Sequence, residues 1–333
     1  QLPRRVRIMN VCGGHERSIT MSGLRAALPP GIELIPGPGC PVCICPEEDI
    51  FEAIQLALHE DVILVSYGDM LRVPVNVPRA EARSMEEARA RGADIRPIAS
   101  PTEAAGIARD NPGKAIIFFA AGFETTTAPT ASLLVEGMPD NLFVLLSGRL
   151  TWPAVAMLLE SGTPGFDALV APGHVATIMG PEEWEFVVSR HGIPAAVAGF
   201  TPESLLAAMY STLRQLIEGR RFLDNCYPEV VKPGGNRTAR QQLQQALDIT
   251  DANWRGIGTI PASFLFGALL VGANKLQRVM QVPSAFIIAL NGLVVVFVVS
   301  SEIWRRKRQK QRVTVTTEAD GLANDLTPAA GEE

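Results

Sequence analysis

Short apolar runs rich in Val, Ile, Leu and Phe alternate along the chain with amphipathic stretches of ten or more residues. Runs of this kind suit strands buried on both faces of a parallel sheet, and the amphipathic stretches suit helices laid against it. The predicted strands are "VRIMNVC", "IELIPG", "VILVSYG", "IRPIA", "KAIIFFAAG", "LFVLLSG", "FDALVAPG" and "AAVAGF". Segments such as "EEDIFEAIQLALHE" and "PESLLAAMYSTLRQLIEG" read as helices, opened by prolines and acids as helix starts should be.

The eight strands fall into two sets of four with similar spacing, each strand closing on glycine or a small polar residue. The spacing predicts a duplicated α/β unit: a first domain over 5–112 and a second over 113–220, facing each other across a shared cleft. A connecting segment follows over 221–262, an apolar, membrane-type helical tail over 263–312, and a polar, disordered tail over 313–333. In open α/β sheets ligands bind beyond the carboxyl ends of the strands, so residues at those ends carry the functional expectation.

Composition narrows the function classes. With 333 residues, 47% hydrophobic and 20% charged, the chain is long enough for two cores and needs no staples. A net charge of −5 excludes the basic footprint of a nucleic-acid binder. Five cysteines, three within six residues, do not form a disulfide framework and fit a reducing compartment. The opening "QLPRRVRIMNVCGG" lacks the apolar core and cleavage site of a signal peptide.

Candidate chemistry sits at the strand ends. In "NVCGGHE", Cys12 ends a strand, two glycines allow a tight turn, and His15 precedes a helix expected from about Ser18, so thiol and imidazole can face one ion. A helix N-terminus there would acidify the thiol. "GPGCPVC" places Cys40 and Cys43 as a C-x-x-C before a helix whose first turn carries Glu47, Glu48 and Asp49. The pair suits either dithiol redox cycling or metal binding, and no second C-x-x-C exists to close a four-cysteine zinc site. Cys45 reads as an incidental thiol and Cys226 as a packing residue. Glu124, Thr125 and Thr126 follow Gly122 at a helix start, His174 follows Gly173, and Asp69 follows Gly68 with Arg72 near enough to pair.

Taken in order, "VCGGHE", "GPGCPVC", "YGDMLRVP", "GADIRPIASPTEA", "FFAAGFETT", "APGHVATIMG", "VAGFTPESLL" and "WRGIGTIPAS" resemble the HypD family of hydrogenase maturation factors over residues 6–262. The resemblance implies a cytoplasmic assembly scaffold with thiol redox chemistry rather than a conventional turnover enzyme. On it the Fe(CN)2(CO) centre of nickel-iron hydrogenases is built, with a HypC-type chaperone as partner and HypE- and HypF-type proteins supplying cyanide. It implies that Cys12 holds the iron with His15 beside it and that Asp69 helps bind the cargo. Cys40 and Cys43 would be the redox-active pair, and Glu124, Thr125, Thr126 and His174 would line the cleft from the second half. "LLSGRLTWP" departs from the family, which often has a histidine near Arg149.

The family continues into a cysteine-rich domain with a 4Fe-4S cluster. Here no cysteine follows Cys226, so the cluster is expected to be absent. Instead an apolar run over 285–300 approaches a membrane span and is followed by six basic residues among eight, predicting membrane contact and a tether. This tail resembles the carboxyl end of ABC importer permease subunits. A membrane-associated thiol oxidoreductase is the alternative function. A permease fragment is a weaker one, because residues 1–255 contain no apolar span.

Overall fold

A computed structural model of the chain describes residues 5–255 except 79 and 161–163. All eight expected strands form: β1 (Val6–Cys12), β2 (Ile32–Gly39), β3 (Val62–Tyr67), β4 (Ile95–Ile98), β5 (Ala115–Gly122), β6 (Leu142–Gly148), β7 (Ala168–Pro172) and β8 (Ala195–Ala198), with a short β9 (Leu223–Asn225) after them. Every pairing is parallel.

The strands divide into two sheets, ordered β2-β1-β7-β8-β9 and β4-β3-β5-β6. This corrects the expected division at 112/113. β3 to β6 pair continuously across that point, so the second sheet is inserted between β2 and β7 of the first. The likeness between the units survives in another form. Taking each sheet's strands in chain order, both begin 2-1-3-4. Local periodicity marks strands but not partners, and a nested copy presents the same run of eight strands as a tandem one.

The inner strands of both sheets are buried on two faces, which explains their near-continuous apolar runs, while the edge strand β6 leaves Phe143 and Leu146 exposed. In the host sheet, Met9, Val11, Leu169, Ala171, Ala195 and Val197 point to one core. Their neighbours Ile8, Ala168, Val170, Ala196 and Ala198 point to the other, where Ile19, Leu205 and Met209 cover them. The inserted sheet alternates likewise. Leu64, Ile117 and Phe119 meet Ile50, Ala53 and Ile54 of the helix Glu47–Ala57, while Ile63, Val65, Ile116 and Phe118 meet Ala104, Ala105 and Ala108.

In each sheet the chain steps to one side of a central strand and then to the other. The reversal falls between β1 and β7 in the host and between β3 and β5 in the insert. A crevice opens at the carboxyl end of such a reversal. Cys12, Gly173 and His174 lie at the first; Gly68, Asp69, Gly122 and Phe123 lie at the second. Among the described residues no helix is long and apolar enough to cross a membrane. The run 285–300 and the tails over 263–312 and 313–333 lie outside the described residues.

Candidate functional site

The two reversal points open into one cavity of about 590 Å³. Cys12, Cys40, Arg17 and His174 line it from the host domain, and Asp69, Phe123 and Thr125 from the insert. Three helices begin at its wall, at Gly13, Glu124 and Gly173, and none has a side-chain cap. Four helices elsewhere are capped by Ser84, Ser100, Thr201 and Asn236, while others, such as Glu47–Ala57, also lack a side-chain cap. At the Gly13 start the N–H groups of Gly14 and His15 point at the Cys12 sulfur.

β1 and β2 bring the first two thiols together. Cys12 pairs in register with Gly39, whose backbone approaches so closely that a Cβ there would lie 1.9 Å from the Val11 carbonyl oxygen. Cys40 follows directly. A Cβ on Gly13 would sit 3.5 Å from that of Cys40, and one on Gly14 would sit 3.5 Å from the Cys12 sulfur and 2.7 Å from the Phe200 ring. Glycine at 14 thus leaves room for Phe200, which stacks on His174 with centroids 3.7 Å apart.

The Cys12 thiol is pushed up, first by burial and also by nearby Cys40, while the N–H groups of His15 and Gly14 pull it down. The expected acidification by a helix start is present but outweighed. Cys43, on the short helix Pro41–Ile44, is pushed up by partial burial of its sulfur, then by hydrogen bonding to Cys40 and its proximity, with Arg255 opposing. All five cysteines are free thiols. Cys45 lies in the inserted core and contacts Ser147 Oγ at 3.4 Å, its thiol raised to about 11 chiefly by burial. Cys226, as expected, packs against the host core.

Not every candidate reaches the cleft. His15 is fully buried, with Nδ1 2.7 Å from Asn10 Oδ1 and Nε2 3.1 Å from the Ala198 carbonyl, and burial lowers it to about 4. The helix starts at Gly13, not near Ser18, which turns His15 inward in its first turn. The ring does not line the cavity, and a shared ion with Cys12 is not formed in this geometry. Glu124 is also fully buried. It accepts from Thr151 N and Thr151 Oγ1, both at 2.6 Å, and burial raises its carboxyl against those donors. Glu124 therefore holds Thr151, which does line the cavity. Thr126 packs under Gly122 and is absent from the wall.

Thr125, His174 and Asp69 do face the cavity. Arg72 pairs with Glu86 at 3.5 Å, not with Asp69. Arg17, Phe123, Thr151 and Phe200 are wall residues that sequence reasoning did not single out; Phe123, Thr151 and Phe200 lie just beyond a strand's carboxyl end, the signal that would have found them, whereas Arg17 sits in the second turn of the helix Gly13–Met21. Among the described residues no three His, Cys, Asp or Glu side chains converge to enclose a metal ion.

The family model HypD, described as "Hydrogenase formation hypA family", matches residues 1–267. The chain belongs to the HypD family. Among HypD relatives, hydrogenase maturation factor HypD2 of Bradyrhizobium diazoefficiens is 40% identical over 269 residues, covering 78% of this chain and 70% of that protein. The factors of Rhodobacter capsulatus and Escherichia coli are 39% and 38% identical over 264 residues, each covering 78% of this chain and 69% of theirs. A role in hydrogenase maturation follows for this HypD chain, with metallocentre assembly and other Hyp proteins as its setting. The family match ends within a few residues of where the motifs end.

Proposed function

We propose that the cleft holds iron as cargo while the Fe(CN)2(CO) group of a nickel-iron hydrogenase is assembled in the cytoplasm. Cys12 is the iron-holding thiolate and Cys40 with Cys43 the redox-active pair. A HypC-type chaperone delivers or completes the site, and HypE- and HypF-type proteins supply cyanide. The observation that carries this reading is the placing of Cys12 and Cys40 on paired strand ends inside the cavity.

The sparse donor set supports it. Two cyanides and a carbon monoxide already fill three positions on the iron, so one or two protein thiolates suffice. A closed four-ligand cage would retain cargo that must leave. Cationic iron lowers the thiol it binds, offsetting the burial that raises Cys12. The N–H groups of Gly14 and His15 then stabilise the thiolate. Uncapped helix starts and Arg17 offer positive potential to anionic cyanide, and His174 and Thr151 offer polar atoms at the wall. Asp69 and Thr125 complete it from the insert.

Anaerobic coexpression with the chaperone and the cyanide-supplying pair tests this. The complex should show infrared bands of iron-bound cyanide and carbon monoxide, and Cys12→Ala should abolish them while circular dichroism stays unchanged. Full band intensity in Cys12→Ala rejects the assignment.

A further inference from the structure

Two stretches of chain pass between the domains, and both carry wall residues. The first leaves β2 at Gly39 and enters the helix Glu47–Ala57 through Cys40, Cys43 and Cys45. The second leaves β6 at Gly148 and reaches the helix Trp152–Glu160 through Arg149 and Thr151. A third stretch, residues 253–255, ties the two together. The Asn253 carbonyl accepts from Arg149 Nε at 3.0 Å and Nη2 at 2.9 Å, and Arg149 also pairs with Asp49 at 3.3 Å. Trp254 packs near Phe123, with ring centroids 5.9 Å apart.

Arg255 makes the contacts nearest the thiols. Its N–H donates to the Ile44 carbonyl at 2.9 Å, one residue past Cys43. Its guanidinium donates to the Pro74 carbonyl at 2.7 Å and pairs with Glu47 at 3.2 Å. The side chain is three-quarters buried, at 25% exposure, so its position is fixed by these partners.

We propose that Arg255 is a positioning residue for the Cys40/Cys43 pair: its main-chain N–H, donated to the Ile44 carbonyl, pins the end of the C-x-x-C turn, and its guanidinium, paired with Glu47 of the following helix, keeps a cation rather than a free carboxylate on that side of the thiols. The charge acts against the burial and the Cys40 contact that oppose ionisation of Cys43. It favours the thiolate, the form of a thiol that acts as the nucleophile. The inference rests on reading Cys40 and Cys43 as the working thiols. Its test reads thiol reactivity alone, so failure of the infrared experiment would leave it standing.

The full chain, reduced and under argon, is treated with iodoacetamide between pH 7 and pH 9, and alkylation of each cysteine is followed by mass spectrometry. Loss of a nearby cation raises a thiol by about one pH unit, so Arg255→Gln should slow Cys43 about tenfold at each pH while leaving Cys226 unchanged. Arg255→Lys keeps the charge without the planar fork and should stay within about threefold of the parent rate. An unchanged Cys43 rate in Arg255→Gln overturns the proposal. So does an Arg255→Lys rate as slow as that of Arg255→Gln, which would make the effect one of packing. Should Arg255→Gln expose Cys45 and Cys226 by unfolding, the lysine variant decides alone: a retained rate supports the charge and a lost one rejects it.

Discussion

Glu183 offers a direct test of how burial is balanced beside the cleft. Its Oε2 is buried with no hydrogen-bond partner among the described residues. Burial first, and then the nearby Glu124 charge, push its carboxyl up to about 8, with Arg240 opposing. The folded chain therefore holds a proton that the unfolded chain releases near the ordinary glutamate value. Stability from this group is full below that value and declines as pH rises through about 8. The gap corresponds to about 5 kcal/mol in full, and to about 2 kcal/mol between pH 5 and pH 7 once solvent around a half-buried residue is allowed for. Glu183→Gln removes the titration and leaves a constant cost for its unpartnered amide. Urea unfolding of both proteins at pH 5, 7 and 9 should show the variant gaining on the parent by about 2 kcal/mol from the first pH to the second, and further to the third. Parallel pH profiles would refute the raised carboxyl.

Thr151→Val removes the hydroxyl bond to buried Glu124 and should cost about 1 to 3 kcal/mol, read as a lower urea midpoint. Gly39→Ala drives a Cβ into the Val11 carbonyl and should cost about 3 kcal/mol or more, read as loss of soluble, folded protein. The sequence supplies five cysteines, of which Cys45 faces the inserted core and Cys226 the host core. Four thiolates of one cluster do not converge from that set, so protein purified anaerobically should lack the 4Fe-4S absorption and acid-labile sulfide. Stoichiometric sulfide would show that thiols assigned to the cleft serve a cluster instead.

The inner strands β3, β5, β7 and β8 were legible because they are buried on two faces and read as near-continuous apolar runs. β9 was not, since Leu223–Asn225 is short and only half-buried. Cys12, Cys40, Asp69, Thr125 and His174 were legible as wall residues because all sit at the carboxyl ends of strands or just past them. His15 was misread because its orientation depends on where the helix begins, and five residues of error there rotate a side chain from cleft to core. Glu124 looked like a cleft acid. Its partner lies 27 residues away on the second crossover, and such pairing leaves no local pattern. The nested order of the sheets was hidden for the same reason.

That nesting also sets an order for folding. The inserted sheet is made of four strands consecutive in sequence, whereas the host must pair Ile8 with Ala168 across 160 positions. Closing so long a loop in an unfolded chain is entropically unfavourable, and contacts of that separation form slowly. Once the insert has folded, its own entry and exit lie close together and the loop is effectively short. The β1–β7 junction, and with it the crevice beside Cys12, is therefore completed last. Hydrogen exchange pulsed during refolding should protect Leu64, whose amide bonds within the insert, before Asp167, whose amide donates to the Arg7 carbonyl across the β1–β7 junction.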